Sequence, residues 1–520
     1  MASEDHSPCY SDCDFDPHWG GCENQSGRTR ENHALKEPYY TPVLVIGNGP
    51  SGICLSYLLS GNRPYFTGEP HPNPLLQLKL EGKTDQSILE LDLEYLSDGL
   101  EGRSHNPVAL LFDSLFHPAA DLGEEEKSRL EWRHDSTKAV DHIVLGSGRP
   151  GGSWWQMDDS VLTLSLGAWM ELPDMSFEEW AAEYRETHSE TAAKISHRRA
   201  TLSEVAHYYD AYVKKKKLVD YFVPYTKVVS VRRLKGRRVI NSESGEPEIR
   251  CQRCCKYQGE NLFEIKGVNV NPRCGCKQSF TVLSPNVVMA TGMLGKPNRL
   301  NVPGDNFRYV RYDLKYLESA IQEGDLSQNS YPVLVIGSGL TAADAIIMAR
   351  NAGIPVVHVF RRTPRDPAIT LSKLPKVVYP EYHHVLQMMR GEIQEEGYTP
   401  LPKHRVLEFG KELLVTIEGN DSTQRIPVSM VTVLIGAKPD LSFLPQDGLH
   451  LGEEQEDISC KQNPVSVDPY TMETVQEPGL YAMGPLVGDT FVRFAMGGAM
   501  AIASHLSKSP WDGSCCSNGT

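Results

Sequence analysis

Two short, uninterrupted apolar runs of the same design stand 290 residues apart in the chain. Val43-Leu44-Val45-Ile46 leads straight into Gly47-Asn48-Gly49-Pro50-Ser51-Gly52 and an apolar helical stretch that closes near Ser60-Gly61. Val333-Leu334-Val335-Ile336 leads into Gly337-Ser338-Gly339-Leu340-Thr341-Ala342 and a helical stretch from Ala343 to Arg350. A short apolar run bounded by a glycine turn predicts a buried strand. The helical spacing that follows completes strand, turn and helix in the order of a dinucleotide-binding unit.

Each small residue in such a unit has its own task. Gly47 permits the tight turn, Gly49 removes a side chain beneath a pyrophosphate, and Gly52 lets the helix pack closely on the sheet. Pro50 suits a first helical turn, where no intrahelical hydrogen bond is lost, and Ser51 follows it where free amides would meet phosphate. Gly337 and Gly339 repeat the pattern, and Ala342 replaces the third glycine with one extra methyl group.

The second strands differ between the two units. Tyr65-Phe66-Thr67 makes a poor strand, whereas His142-Ile143-Val144-Leu145 reads as a strand, leaving residues 70–140 as a long insertion. Glu69, 22 residues after Gly47, is the candidate for holding a ribose hydroxyl. In the other unit Ile354 to Phe360 predicts the second strand, and Arg361-Arg362 follows it. A guanidinium meets a 2'-phosphate that a carboxylate would repel, so this pair favours NADPH over NADH. The first site is then expected to hold FAD and the second to admit NADPH, the flavin accepting hydride and passing electrons onward.

Composition narrows the class without naming a reaction. The 520 residues are 40% hydrophobic and 23% charged, which suits a folded soluble chain of two or three units and excludes collagen-like, coiled-coil and fully disordered classes. With 52 basic against 67 acidic residues the formal net charge is -15, a poor match to nucleic acid. The basic clusters Lys214 to Lys217 and Arg232, Arg233, Arg237 and Arg238 belong to no nucleic-acid module and read as solvated faces, with contact to an acidic protein or a membrane surface as the alternative. Residues 1–40 are acidic and poor in aliphatic side chains, which predicts a flexible arm. No basic-then-apolar leader and no apolar run near 20 residues is present, so a cytoplasmic setting without a transmembrane segment is expected.

The 12 cysteines, in a chain this long, fit a reducing compartment better than a disulfide scaffold. Cys251, Cys254, Cys274 and Cys276 have spacing that would suit tetrahedral zinc. A redox dithiol and plain unliganded thiols are the alternatives. Residues 331–430 contain no cysteine, which sets a thioredoxin-reductase-like reaction behind an oxygen reaction.

Longer strings carry a family resemblance. Val45 through Gly61, Leu374-Pro375-Lys376, Tyr379-Pro380-Glu381-Tyr382-His383 and Tyr481-Ala482-Met483-Gly484-Pro485 resemble the oxidative-stress-induced growth inhibitor family, within the class B flavoprotein monooxygenase-like superfamily. Gly151-Gly152-Ser153-Trp154 resembles the superfamily's GGxW segment near the flavin, and Met289-Ala290-Thr291-Gly292 resembles its ATG segment. Two glycines give backbone access there, and Trp154 would shield a redox ring from water. Phe307 to Asp313 lacks the Gly and His of the superfamily's FxGxxxH fingerprint. By the same resemblance the small-residue helix after Asp489 points its amino end at the flavin, with Asp489 either beside the cofactor or capping the helix.

The expected fold is α/β, with two Rossmann-like domains and the NADPH domain inserted in a discontinuous FAD domain. Its parts are a flexible arm over 1–40, FAD-binding segments over 41–314 and 431–508, an NADPH-binding segment over 315–430 and a tail over 509–520. Insertions fall near 70–140 and 240–280. The resemblance implies an NADPH-dependent monooxygenase that uses molecular oxygen on an unidentified small molecule or protein, with links to growth regulation, oxidative stress and regulatory protein partners. A regulatory interaction protein on a cofactor-binding scaffold, and an NADPH oxidase or disulfide-reductase-like flavoenzyme, remain open. No catalytic side chain is assigned from sequence.

Overall fold

A computed structural model describes residues 39–508 except 124–125, 160, 189–198, 235–238, 241–246, 251–255, 258–261, 420–421 and 454. Two five-stranded sheets, parallel throughout, organise it. The first runs Leu480–Ala482, Asn286–Met289, Val43–Ile46, His142–Leu145 and Phe222–Val223. The second runs Val310–Arg311, Met430–Val433, Val333–Ile336, Val356–Phe360 and Tyr398–Pro402. All four residues of Val43–Ile46 and of Val333–Ile336 are buried, as expected of parallel strands covered on both faces.

The cores follow the same division. One core gathers residues from Val43 to Ala290 with residues from Leu441 to Leu506, while two others gather residues between Val310 and Leu434. The second sheet therefore interrupts the chain of the first. Both connections between them run side by side, Lys296–Pro297 pairing antiparallel with Ala437–Lys438 and Lys296 Nζ lying 2.9 Å from Asp440 Oδ1.

Strand pairing corrects one sequence expectation. Asn62–Phe66 does form a strand, but it pairs antiparallel with Leu130–His134, outside the parallel sheet. The neighbour of Val43–Ile46 is His142–Leu145, in register from Val43 opposite His142 to Ile46 opposite Leu145. Between the two ribbon strands the chain folds into helices, of which Pro107–Phe116 packs on the carboxyl-terminal helix Val492–Lys508. A Cβ on Gly497 would stand 2.2 Å from the Ala109 Cα, so only glycine allows this approach. Arg493 locks the same contact, Nε and Nη2 each 2.7 Å from the Asp113 carboxylate.

The later part of the segment read as an insertion near 240–280 is regular sheet. Phe263–Val270 pairs antiparallel with both Thr226–Arg233 and Lys277–Ser284. Among the described residues no helix is long and apolar enough to cross a membrane.

Candidate functional site

The first glycine turn is closed by segments far away in sequence. Gly47 has φ +116, and a Cβ there would lie 2.2 Å from the Ala290 carbonyl oxygen. Gly52 is as tight, with a Cβ 2.1 Å from the Gly47 oxygen. Gly49 is different: its Cβ would meet nothing nearer than the Gly151 oxygen at 4.0 Å. Two glycines thus serve close packing, and the middle one faces open space. Helix Pro50–Leu59 starts at Gly49 without a side-chain cap and has no acid in its first turn. Its first amides are left for an anion.

Gly151 and Gly152 come to the same place. The Gly151 amide donates to the Asn48 oxygen at 2.9 Å, and a Cβ on Gly152 would stand 3.2 Å from Gly49 Cα. Trp154 follows in the 3-10 turn Gly152–Gln156 and stands edge-on to Tyr209 at 6.0 Å. Trp155 turns elsewhere: its Nε1 donates to the Pro150 oxygen at 2.6 Å, with the Arg149 guanidinium 4.4 Å from its ring.

Three contributors to this cleft, Asn48, Gly484 and Thr291, lie in strings marked in the sequence but had no role assigned there. The buried Asn48 amide donates to the Gly148 oxygen at 2.8 Å and covers Gly146, where any Cβ would fall 2.0 Å from it. Gly484 approaches Ser51, a Cβ on it lying 2.6 Å from Ser51 Oγ. Thr291 Oγ1 is buried without a hydrogen-bond partner in the protein. An orphaned hydroxyl is costly, and beside an open glycine turn it fits a bound polar group. This cleft suits a dinucleotide such as FAD.

Glu69 and Asp489 have partners of their own, and the Asp489 amide donates to the Gly484 oxygen at 3.2 Å. Glu69 follows the antiparallel ribbon, its carboxylate exposed and 4.0 Å from Arg129 Nη1. The strand beside Val43–Ile46 ends instead on Gly146, which has no carboxylate to offer. Asp489 is buried and accepts from Ser104 Oγ at 2.6 Å and Asn106 Nδ2 at 2.7 Å. Burial raises its carboxyl to about 6 against the pull of those donors. It ties the segment before helix Pro107–Phe116 to the carboxyl-terminal region.

The second glycine turn is more open. Gly337 has φ +140, with a Cβ 2.2 Å from the Leu434 oxygen, while a Cβ on Gly339 meets nothing within 4 Å. Helix Leu340–Asn351 begins at Gly339 without a side-chain cap or first-turn acid, and Ala342 is buried against Gly337. Arg361 and Arg362 follow strand Val356–Phe360 as exposed residues. They part ways there. Arg362 pairs with Asp366 at 3.0 Å, whereas Arg361 lines a cavity of about 580 Å³ with Lys403, His404, Arg405 and the hairpin residues Glu418, Gly419, Ser422 and Thr423. Lys403, at φ +59 just past the neighbouring strand Tyr398–Pro402, is a cation that no sequence motif marked. Arg405 is already paired with Glu418 at 2.6 Å. Arg361 and Lys403 therefore suit the phosphate end of NADPH.

A seam joins the two units beyond the GGSW turn. Arg199 Nη1 donates to Glu381 Oε1 at 2.6 Å, its guanidinium lies 4.7 Å from the Tyr379 ring, and Tyr379 Oη donates to the Leu164 oxygen at 2.5 Å. Asp344, in the early part of helix Leu340–Asn351, has its carboxyl raised to about 6, first by burial and then by the nearby Asp158 charge, against a bond from Tyr382. Asp158 follows the GGSW turn, so the chain from the first cradle runs to the helix of the second.

The cysteine reading is only partly placed. Cys251 and Cys254 lie outside the described residues, and Cys274 and Cys276 are exposed on a hairpin. Among the described residues no group of three or more His, Cys, Asp and Glu could hold a metal ion.

Comparison with known proteins bears on this arrangement. Residues 187–501 match the family described as pyridine nucleotide-disulphide oxidoreductase. The chain is 45% identical over 475 residues to oxidative stress-induced growth inhibitor 1 of Mus musculus, covering 90% of this chain and 95% of that one. It is 42% identical over 479 residues to oxidative stress-induced growth inhibitor 2 of Homo sapiens, covering 90% and 93%. Among solved structures, the bacillithiol disulfide reductase Bdr (YpdA) of Bacillus cereus is similar with a TM-score of 0.53 and 15% identity, over 90% of this chain and 99% of that one. At that identity the likeness concerns the fold.

Proposed function

The chain belongs to the oxidative stress-induced growth inhibitor family, among flavin-dependent oxidoreductases that bind FAD and NAD(P)H, and from that premise we propose an NADPH-dependent monooxygenase-like activity. The observation that carries the cofactor choice is the open cavity holding Arg361 and Lys403, just past the strand that neighbours the one leading into the second glycine turn.

Bound FAD supplies hydride acceptance from a nicotinamide and electron delivery to oxygen or another acceptor. The protein supplies position. Gly47, Gly49 and Gly52, with Pro50 and Ser51, bring the start of helix Pro50–Leu59 to the flavin pyrophosphate, where its free amides balance negative charge. Gly151 and Gly152 let a second backbone strand approach the same group, and Thr291 brings an unpartnered hydroxyl. Trp154, propped against Tyr209, excludes water on that side. In the second unit Gly337, Gly339 and Ala342 set the helix for the nicotinamide dinucleotide, and Arg361 with Lys403 holds the 2'-phosphate. The seam through Arg199, Glu381 and Tyr379 keeps the units in register for hydride transfer.

Disulfide reduction is a second reading, favoured by the description of the matching family. Against it, Cys54 is buried inside helix Pro50–Leu59, where burial pushes its thiol far up, and residues 331–430 contain no cysteine. A regulatory role in growth restraint, suggested by the relatives' names, is compatible with turnover. The described cysteines are all free thiols, which supports a reducing, cytoplasmic setting.

The test is anaerobic addition of NADPH to flavin-loaded protein, followed by oxygen and product analysis. Flavin bleaching by NADPH in preference to NADH is expected, then reoxidation with an oxygen atom found in an organic product. Reoxidation that releases only hydrogen peroxide would make the protein an oxidase. Folded protein that takes up no flavin would end the proposal.

A further inference from the structure

Cys274 and Cys276 belong to neither cradle. Strands Phe263–Val270 and Lys277–Ser284 pair down to Val270 opposite Lys277, and Asn271 to Cys276 form the loop beyond. The loop is closed by the Asn271 amide donating to the Cys276 oxygen at 2.9 Å and the Gly275 amide donating to the Asn271 oxygen at 2.8 Å. Asn271 Oδ1 accepts from the Arg273 amide at 2.8 Å. Gly275 sits at φ +67, a conformation that glycine adopts at little cost, and this folds the two cysteines toward each other. As a result the Cys276 amide donates to Cys274 Sγ at 3.3 Å.

Both residues are exposed, and their thiols are unequal. The Cys276 amide donates to the Cys274 sulfur and the Cys276 thiol to the Cys274 carbonyl oxygen at 3.9 Å, and the neighbouring Cys276 thiol, then its amide, hold the Cys274 thiol below its usual range. The same contact pushes the Cys276 thiol up. Such asymmetry separates an attacking thiol from a resolving one. The other described cysteines are shielded: Cys54 and Cys460 are buried, and burial raises the Cys460 thiol to about 11.

We propose that Cys274-Gly275-Cys276 is a thiol–disulfide switch oxidised by small peroxides, with Cys274 as the attacking sulfur and Cys276 as the resolving one. The Cys274 thiolate attacks one peroxide oxygen, breaking the O–O bond. With hydrogen peroxide, the leaving hydroxide takes up a proton as water and Cys274 becomes a sulfenic acid. The Cys276 sulfur then displaces that hydroxyl as a second water while its own proton leaves, forming the S–S bond. Two thiols lose two electrons in all, and one peroxide becomes two waters. A disulfide across a single residue is strained and exposed, so a dithiol reductant reopens it readily.

The test uses the full, reduced, flavin-loaded chain treated with hydrogen peroxide and read by peptide mass analysis. The peptide holding both cysteines is expected to lose two hydrogen atoms and regain them with dithiothreitol. Before oxidation, iodoacetamide should modify Cys274 about tenfold faster than Cys276. In Cys276→Ser, oxidation should stop at Cys274 and be captured by dimedone. Gly275→Ala keeps both thiols but strains the turn, and should slow disulfide formation by about tenfold. Three results would overturn the proposal: both thiols staying reduced under peroxide, either one pairing with another cysteine, or stoichiometric zinc protecting them in the purified protein.

Discussion

Helix Pro50–Leu59 is buried at every position from Ser51 to Leu59, whereas helix Leu340–Asn351 buries Ala342, Ala343, Ala345, Ile346 and Ala349 and leaves its other positions more open. The two glycine turns differ in the same direction. The first has the Gly151–Gly152 turn, Ala290–Thr291 and Gly484 pressed around it, whereas a Cβ on Gly339 of the second meets nothing within 4 Å and the strand beside it ends on two exposed arginines. Both use a tight first glycine against a strand carbonyl and a middle glycine facing space. On the proposed function, one local design would serve a long-held ligand in one place and an exchanging one in the other. Enclosure slows release, while exposed charges speed capture.

Gly47→Ala and Gly49→Val should separate these roles with the largest effects. Alanine at 47 meets a backbone oxygen at 2.2 Å and is expected to cost at least about 3 kcal/mol, read as loss of the cooperative thermal transition. Valine at 49 should leave the flavin-free protein folded and lower its flavin content by at least about tenfold. Gly339→Val should spare flavin content and abolish reduction by NADPH. If the variants at 49 and 339 behave alike, the contrast between a held and an exchanging ligand fails.

Next in size is the double change Arg361→Ala with Lys403→Ala. Steady-state kinetics should show KM for NADPH rising about 10- to 100-fold, the range for charge-assisted phosphate bonds, with NADH little changed. Equal losses for both nucleotides would mean that the cavity does not read the 2'-phosphate.

A smaller effect follows from partial burial in the first unit. Glu171 has its carboxyl raised to about 7, chiefly by burial and against a bond from the Phe177 amide. Its folded value lies above the unfolded one, so its contribution is full below about 4.5 and is lost as pH rises through 7. Glu171→Gln should therefore match the parent near pH 4.5 and stabilise it by about 2 kcal/mol at pH 8, read by denaturant unfolding. Asp344→Asn, in the more open unit, should show the same sign with its window ending near pH 6.

Smallest of all is Glu69→Ala. Its carboxylate is exposed and remote from the sheet neighbour of Val43–Ile46, so flavin content should be unchanged and stability shifted by less than about 0.5 kcal/mol. A loss of flavin would return Glu69 to the ribose.

The amino-acid sequence by itself determined the two strand-turn-helix units, because apolar runs, glycine conformations and the missing first-turn acids act over a few neighbouring residues. Arg361 was legible for the same reason, standing directly after its strand. The sequence already preferred His142–Leu145 to Tyr65–Thr67 as a strand, but only the tertiary structure paired it with Val43–Ile46 and put Asn62–Phe66 against Leu130–His134, so that Gly146 ends the neighbouring strand and Glu69 follows the ribbon. It also turned Asp489 toward Ser104 and Asn106, brought Lys403 and Arg361 to one cavity, and left the Thr291 hydroxyl oxygen buried without a hydrogen-bond partner. A local pattern marks a strand, but its partner and register some 100 residues away depend on what each face buries, which no local pattern records.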